Sequence, residues 1–126
     1  MVAFNFSPEF ADDVESGRKC QTIRRTKRGK VGDPVQTYTG QRTKRCRRLR
    51  KDEPRLETVD YIHIAPDGIT LGNKVLHPGN VDDFARADGF RNYAAMHAWF
   101  KARYGSDHFV GYLHRWSPLP TQGDNE

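Results

Sequence analysis

The 126 residues, 36% hydrophobic and 29% charged, suit one domain around one core, too apolar for a disordered chain and too short for two ordinary domains. No apolar run approaches the ~20 residues that span a bilayer, which argues against a membrane protein. The net charge of +5 conceals a dipole: fourteen Lys and Arg stand between Gly17 and Lys51 against one carboxylate, Asp33, for a local +13, while seven cations against fifteen carboxylates leave −8 elsewhere.

Val2, Phe4 and Phe6 alternate with Ala3 and Asn5, the period of a strand over residues 2–6 with one buried face. Ser7 follows as an N-cap, Pro8 takes the first helical position, and Glu9, Asp12 and Asp13 sit near the positive end of a helix predicted over 8–16, with Gly17 to close it. Thr22 and Ile23 open an extended segment. The polar stretch 26–32, with two glycines, reads as a loop before a strand over 35–39 that Gly40 ends.

Residues 43–50 place Cys46 and Leu49 among arginines and a lysine with no helical apolar stripe, which predicts a solvent-flanked strand. Strands over 57–64 and 69–71 form a hairpin about the Pro66-Asp67-Gly68 turn. Asn80 caps a helix whose first turn is acidic at Asp82 and Asp83, which carries Phe84, and which ends at Asp88 and Gly89. Tyr93, Met96 and Phe100 recur at helical spacing over 91–104, beside Trp99, and Gly105 stops that helix. A last strand, 109–116, has apolar groups on both faces; residues 1–118 form one domain and 119–126 a flexible tail. Many short strands with two or three helices between them suggest a small barrel, because closure removes exposed strand edges.

The two cysteines, Cys20 and Cys46, form no CxxC pair and the five histidines have no ligand spacing, so neither a metal nor another cofactor is expected. Both cysteines read as small half-buried strand residues rather than a disulfide. Without the basic-then-apolar pattern of a secretory signal, the expected location is cytoplasmic, and the expected state a monomer.

Chemistry concentrates at GRKxxTxR: Gly17, Arg18, Lys19, Thr22 and Arg24, where a helix gives way to a strand. A glycine there permits a backbone that turns the following lysine into a cavity. Burial lowers the pKa of an ammonium, and a lysine so poised can take a proton from a hydroxyl such as that of Thr22. In a regular strand residues three apart face opposite ways, so Lys19 and Thr22 meet only if Lys19 precedes the strand or a bulge intervenes. Read plainly, Lys19 is an exposed lysine and Thr22 an ordinary strand threonine.

Gly17, Lys19 and Arg24 match the GxKxxxxR signature of the ASCH domain. With the segment Tyr38–Cys46, the ADGF run at 87–90, the helix of Met96, Trp99 and Phe100, and the closing FVGYLHRW, the chain resembles small bacterial and phage ASCH proteins over nearly all of residues 2–118. The resemblance implies an α+β fold, a small PUA-like β-barrel of about six strands with two or three helices. Some members remove the acyl group of 4-N-acetylcytidine with the Lys and Thr of GRKxxTxR and a Glu ahead of the second long helix. Those positions are Lys19, Thr22 and Asp88 here, the last one methylene shorter than the family's Glu. Other members are described as RNA binders, and at least one type as a ribonuclease.

Three readings follow. In the first, Arg18, Arg24, Arg25, Lys27, Arg42, Lys44, Arg45 and Arg48, with Gly17, bind the phosphates of RNA or a nucleotide, and Tyr38 or Tyr61 stacks a base. In the second, Thr22 attacks an exocyclic acyl carbonyl with Lys19 as base and Asp88 orienting it or returning the proton to the amine. In the third, the basic face grips an acidic protein. The plain alternative to all three is a solvated charged face.

Overall fold

Alternation sets the first strand. Val2, Phe4 and Phe6 of β1 (Val2–Phe6) are all buried on one face, and in the computed structural model, which describes residues 1–119, α1 (Pro8–Ser16) follows as the sequence predicts. Pro8 starts it with a preset φ, and Phe10, Ala11 and Val14 bury the stripe that packs on β1 and β3 (Val35–Thr39). Ser7 occupies the N-cap position without a side-chain hydrogen bond.

The remaining strands and α-helices are β2 (Gln21–Arg24), β4 (Arg47–Arg48), β5 (Leu56–Ala65), β6 (Gly68–Leu71), β7 (Lys74–Val75), α2 (Val81–Ala87), α3 (Tyr93–Tyr104) and β8 (Phe109–Trp116). One sheet runs β1-β3-β4, with β1 and β3 parallel, and the other runs β2-β8-β5-β6-β7, antiparallel throughout. The class is α+β. Neither sheet closes into a barrel: the Pro34–Arg55 bridge, with Leu56 N–H donating to Asp33 O at 2.9 Å, joins the starts of β3 and β5 at a corner and goes no further.

The solvent-flanked strand expected over 43–50 shrinks to Arg47–Arg48. Thr43 N–H donates to Gly40 O and Cys46 N–H to Thr43 O, so the preceding residues coil into turns that use their own hydrogen bonds. Cys46 is accordingly exposed rather than half-buried in a strand, and Cys20 lies just before β2; both are free thiols. Asn80 stands at the N-cap of α2 without a side-chain bond, whereas Asn92, not singled out from sequence, caps α3 by accepting from Ala95 N–H at 2.9 Å. Of the tail expected over 119–126, all but Leu119 lies outside the described residues.

Two clusters share the long strand β8. Phe109 and Leu113 join Ile62, Ile64, Phe84, Met96 and Phe100 under α2 and α3, while Trp116 joins Phe4, Phe6, Phe10, Val14 and Val35 beneath the three-stranded sheet. Phe90 and Trp99 touch both clusters. Helices cover one side of the strand, and β1 covers the other at its carboxyl end, where Phe4 packs on His114 and Trp116. Among the described residues no helix is long and apolar enough to cross a membrane.

Candidate functional site

The seam between the two clusters is incompletely filled. A cavity of about 90 Å³ opens there, lined by Phe6 and Phe10 from the cluster beneath the three-stranded sheet, by Ile23 and Phe100 from the cluster under the helices, by Phe90 and Trp99, and by Asn5, Lys19, Thr22, Arg24, Asp88, Arg103 and Tyr104. At ~30 Å³ per water it admits the edge of one planar ring rather than a whole nucleoside.

Lys19 enters from α1. Gly17 ends that helix at φ 85°, a left-handed turn in which a Cβ would lie 2.6 Å from Leu119 Cδ1, and Lys19 N–H then donates to Asp13 O at 2.9 Å. The chain is thereby folded back on the helix and Lys19, before β2 begins, points inward with 4% of its surface exposed. Asp88 comes from the opposite side as the C-cap of α2, 3% exposed. Gly89 makes the approach possible: at φ 99° it leaves room for Phe10, whose Cδ1 would be 3.0 Å from any Cβ there.

Lys19 Nζ lies 3.1 Å from Asp88 Oδ1 and also donates to the Asp88 carbonyl. Gln21 Nε2 donates to the same carboxylate oxygen at 3.2 Å. The ammonium sits over Phe10, 5.1 Å from the ring centroid. Burial pushes the Lys19 ammonium below its ordinary pKa and the Asp88 carboxyl above its own, each partly offset by the other's charge.

Thr22 is on the same cavity wall, and its hydroxyl accepts from Arg24 Nε at 3.0 Å. Arg24 donates a second bond to Asn5 O at 2.9 Å and lies 5.2 Å from the ring centroids of both Phe4 and Phe6. Burial lowers its pKa to about 10, with Arg28 adding repulsion, so the guanidinium remains charged at neutral pH. β2 is an edge strand, and Trp116 N–H bonded to Cys20 O fixes the ladder's alternation, which turns the N–H and C=O of Ile23 toward the free edge at the cavity.

Lys19, Thr22, Arg24 and Asp88 therefore converge; the other cations expected at the site divide. Arg18 pairs with Asp13 at 2.9 Å and Arg48 with Glu53 at 3.5 Å, while Gly17 shapes the turn and no more. Arg50 is buried, gripping Asp52 through two bonds and Ser117 O through a third, so it is a structural residue. Arg25, Lys27, Arg42, Lys44 and Arg45 are exposed and have no carboxylate within ion-pair distance among the described residues. Arg25 lies over Tyr104 at 5.4 Å, at the cavity's border. Arg42, at φ 66°, Lys44 and Arg45 ride the turn before β4, and Arg45 and Arg47 line a larger hollow of about 470 Å³ that shares Asn5, Phe6 and Ser7 with the cavity.

Gln21, Arg103 and the aromatic wall of Trp99 and Tyr104 were not legible as site residues. Arg103 reads from sequence as a cation at a helix end, and only the packing of α3 against β2 brings it to the cavity, its guanidinium 5.4 Å from the Trp99 ring. Among the described residues no group of three or more His, Cys, Asp or Glu could hold a metal ion. No family model matches this chain, and no curated protein or solved structure is significantly similar to it.

Proposed function

We propose that the chain is a PUA-like module of the ASCH type that binds RNA or a pyrimidine nucleotide, with a base edge in the cavity and phosphate beside the unpaired cations. The observation that carries this reading is the cavity itself: an ammonium and a carboxylate held 3.1 Å apart at its inner end, with Arg24 on the wall and exposed Arg25 at the border. Donors and acceptors on Lys19, Asp88, Arg24 and the Ile23 backbone suit the mixed hydrogen-bonding edge of a base. An apolar ligand would leave them unmatched.

A second reading, removal of the acyl group from 4-N-acetylcytidine, is favoured by one feature: Lys19, Thr22 and Asp88 line the same cavity. Thr22 Oγ would add to the acyl carbonyl carbon as its proton passes to Lys19, the C–N bond would break with that proton going to the leaving amine, and water would cleave the acyl-threonine. Binding ranks first because Thr22 Oγ1 is held by Arg24, with no bond to Lys19.

Equilibrium binding of a labelled oligouridylate and of cytidine 5′-monophosphate tests the first reading. Three phosphate contacts predict a roughly 20-fold loss of single-stranded oligonucleotide affinity between about 50 and 200 mM salt, and Arg24→Gln weakens both ligands. Affinity unchanged by salt rejects phosphate binding. Incubation with 4-N-acetylcytidine decides the second reading: cytidine released by the parent and not by Lys19→Ala would place hydrolysis ahead of binding.

A further inference from the structure

The face of the five-stranded sheet turned away from α2 and α3 is covered at one end and bare at the other. Thr22, His114 and Val59 stand abreast across β2, β8 and β5, and Phe4 covers His114 with ring centroids 5.2 Å apart. The next row is Arg24, Tyr112 and Tyr61. Its far end is open, for Tyr61 is 45% exposed, and in the row beyond it Val110, beside His63, is 51% exposed. Directly opposed residues share a face, so the two tyrosines are neighbours there, edge to face at 6.0 Å.

Charge identifies what such a face would meet. None of the side chains in these three rows is a carboxylate, although the chain has sixteen. The loop of Lys27, Arg28 and Lys30 borders the same face, because Arg28 N–H donates to His114 Nε2 at 3.0 Å and its guanidinium lies 5.1 Å from the Phe4 ring. These three cations have no carboxylate within ion-pair distance among the described residues. A second copy of the chain would bring another such loop against this one, whereas a polyanion carrying flat apolar rings satisfies loop and tyrosines together.

We propose that Tyr61 and Tyr112 form a stacking platform for single-stranded nucleic acid, bordered by the Lys27–Lys30 loop and separated from the cavity by Arg24. The inference rests on the nucleic-acid reading above and extends its ligand from one nucleotide to a run of them. Every base has a π face, so the platform supplies affinity that grows with length, and the cavity supplies selectivity.

Polarisation of a labelled oligouridylate of about 12 nucleotides, beside calorimetry with cytidine 5′-monophosphate, tests it. Tyr61→Ala and Tyr112→Ala should each weaken the oligonucleotide roughly 10-fold and leave the mononucleotide unchanged, and Tyr61→Phe should keep parental affinity. Oligonucleotide binding that survives both alanine variants while Arg24→Gln weakens both ligands overturns the platform and leaves the cavity reading standing. A parent protein that binds neither ligand overturns both. Self-association abolished by Tyr61→Ala, with oligonucleotide affinity intact, would assign the face to a second copy instead.

Discussion

Lys19 and Arg45 belong to the same run of positive charge, yet they occupy opposite physical regimes. Lys19 is buried against Asp88 in a cavity built by four elements, while Arg45 stands exposed on a turn that shows no ion pair among the described residues. The run of +13 thus contains at least two populations: cations locked into the fold, such as Lys19 and Arg50, and cations left open to a ligand. Charge density along a chain does not say which cations are open to solvent; burial and pairing do.

The largest effect expected from this contrast is at the buried pair. Lys19→Met or Asp88→Leu alone leaves an unpartnered charge in a site 3–4% exposed and should cost about 3–5 kcal/mol of unfolding free energy, read from urea midpoints. The double variant, apolar on both sides, should recover most of that loss. Single variants within about 1 kcal/mol of the parent would place Lys19 with the surface cations and dissolve the distinction.

His114 gives a smaller, pH-dependent effect on the same buried side. Burial, with Arg24 and Arg28 nearby, lowers its pKa from 6.5 to about 4. Between those values the unfolded chain binds a proton that the folded chain does not, so stability is full above pH 6.5 and falls as pH drops toward about 4. The loss is at most about 3 kcal/mol at 1.36 kcal/mol per unit. His114→Gln should flatten that window relative to the parent, and identical slopes would show the imidazole is not held neutral.

The sequence carried β1, α1, β3, the β5–β6 hairpin and β8 because each has a clear period or a chain-local stop, such as Gly17 or Gly105. It misjudged 43–50 because arginine-rich residues without an apolar stripe say what cannot be buried, not whether the backbone pairs with a strand or with itself. Lys19, Thr22 and Asp88 were legible through a motif and a resemblance. Their partners Gln21 and Arg103 were not, since α3 and β2 meet only through long-range packing that no local period encodes. Openness of the sheets was equally hidden: strand edges are settled by which strands neighbour, and β8, last in sequence, lies between β2 and β5.

The smallest effect belongs to the exposed pair Arg47–Glu15, 2.9 Å apart but with each side chain about half exposed. Its geometry is as short as that of the buried pair, so distance alone would rank the two together. Solvent separates them: water screens the exposed charges and both side chains lose rotamer freedom in meeting. A double-mutant cycle of Arg47→Ala and Glu15→Ala should therefore give a coupling of about 0.2–1 kcal/mol, falling further with salt. A coupling near that of Lys19 and Asp88 would mean that β4 is clamped to α1 as firmly as the cavity is built. The hollow beside Arg45 and Arg47 would then be a fixed part of the core rather than a surface free to receive phosphate.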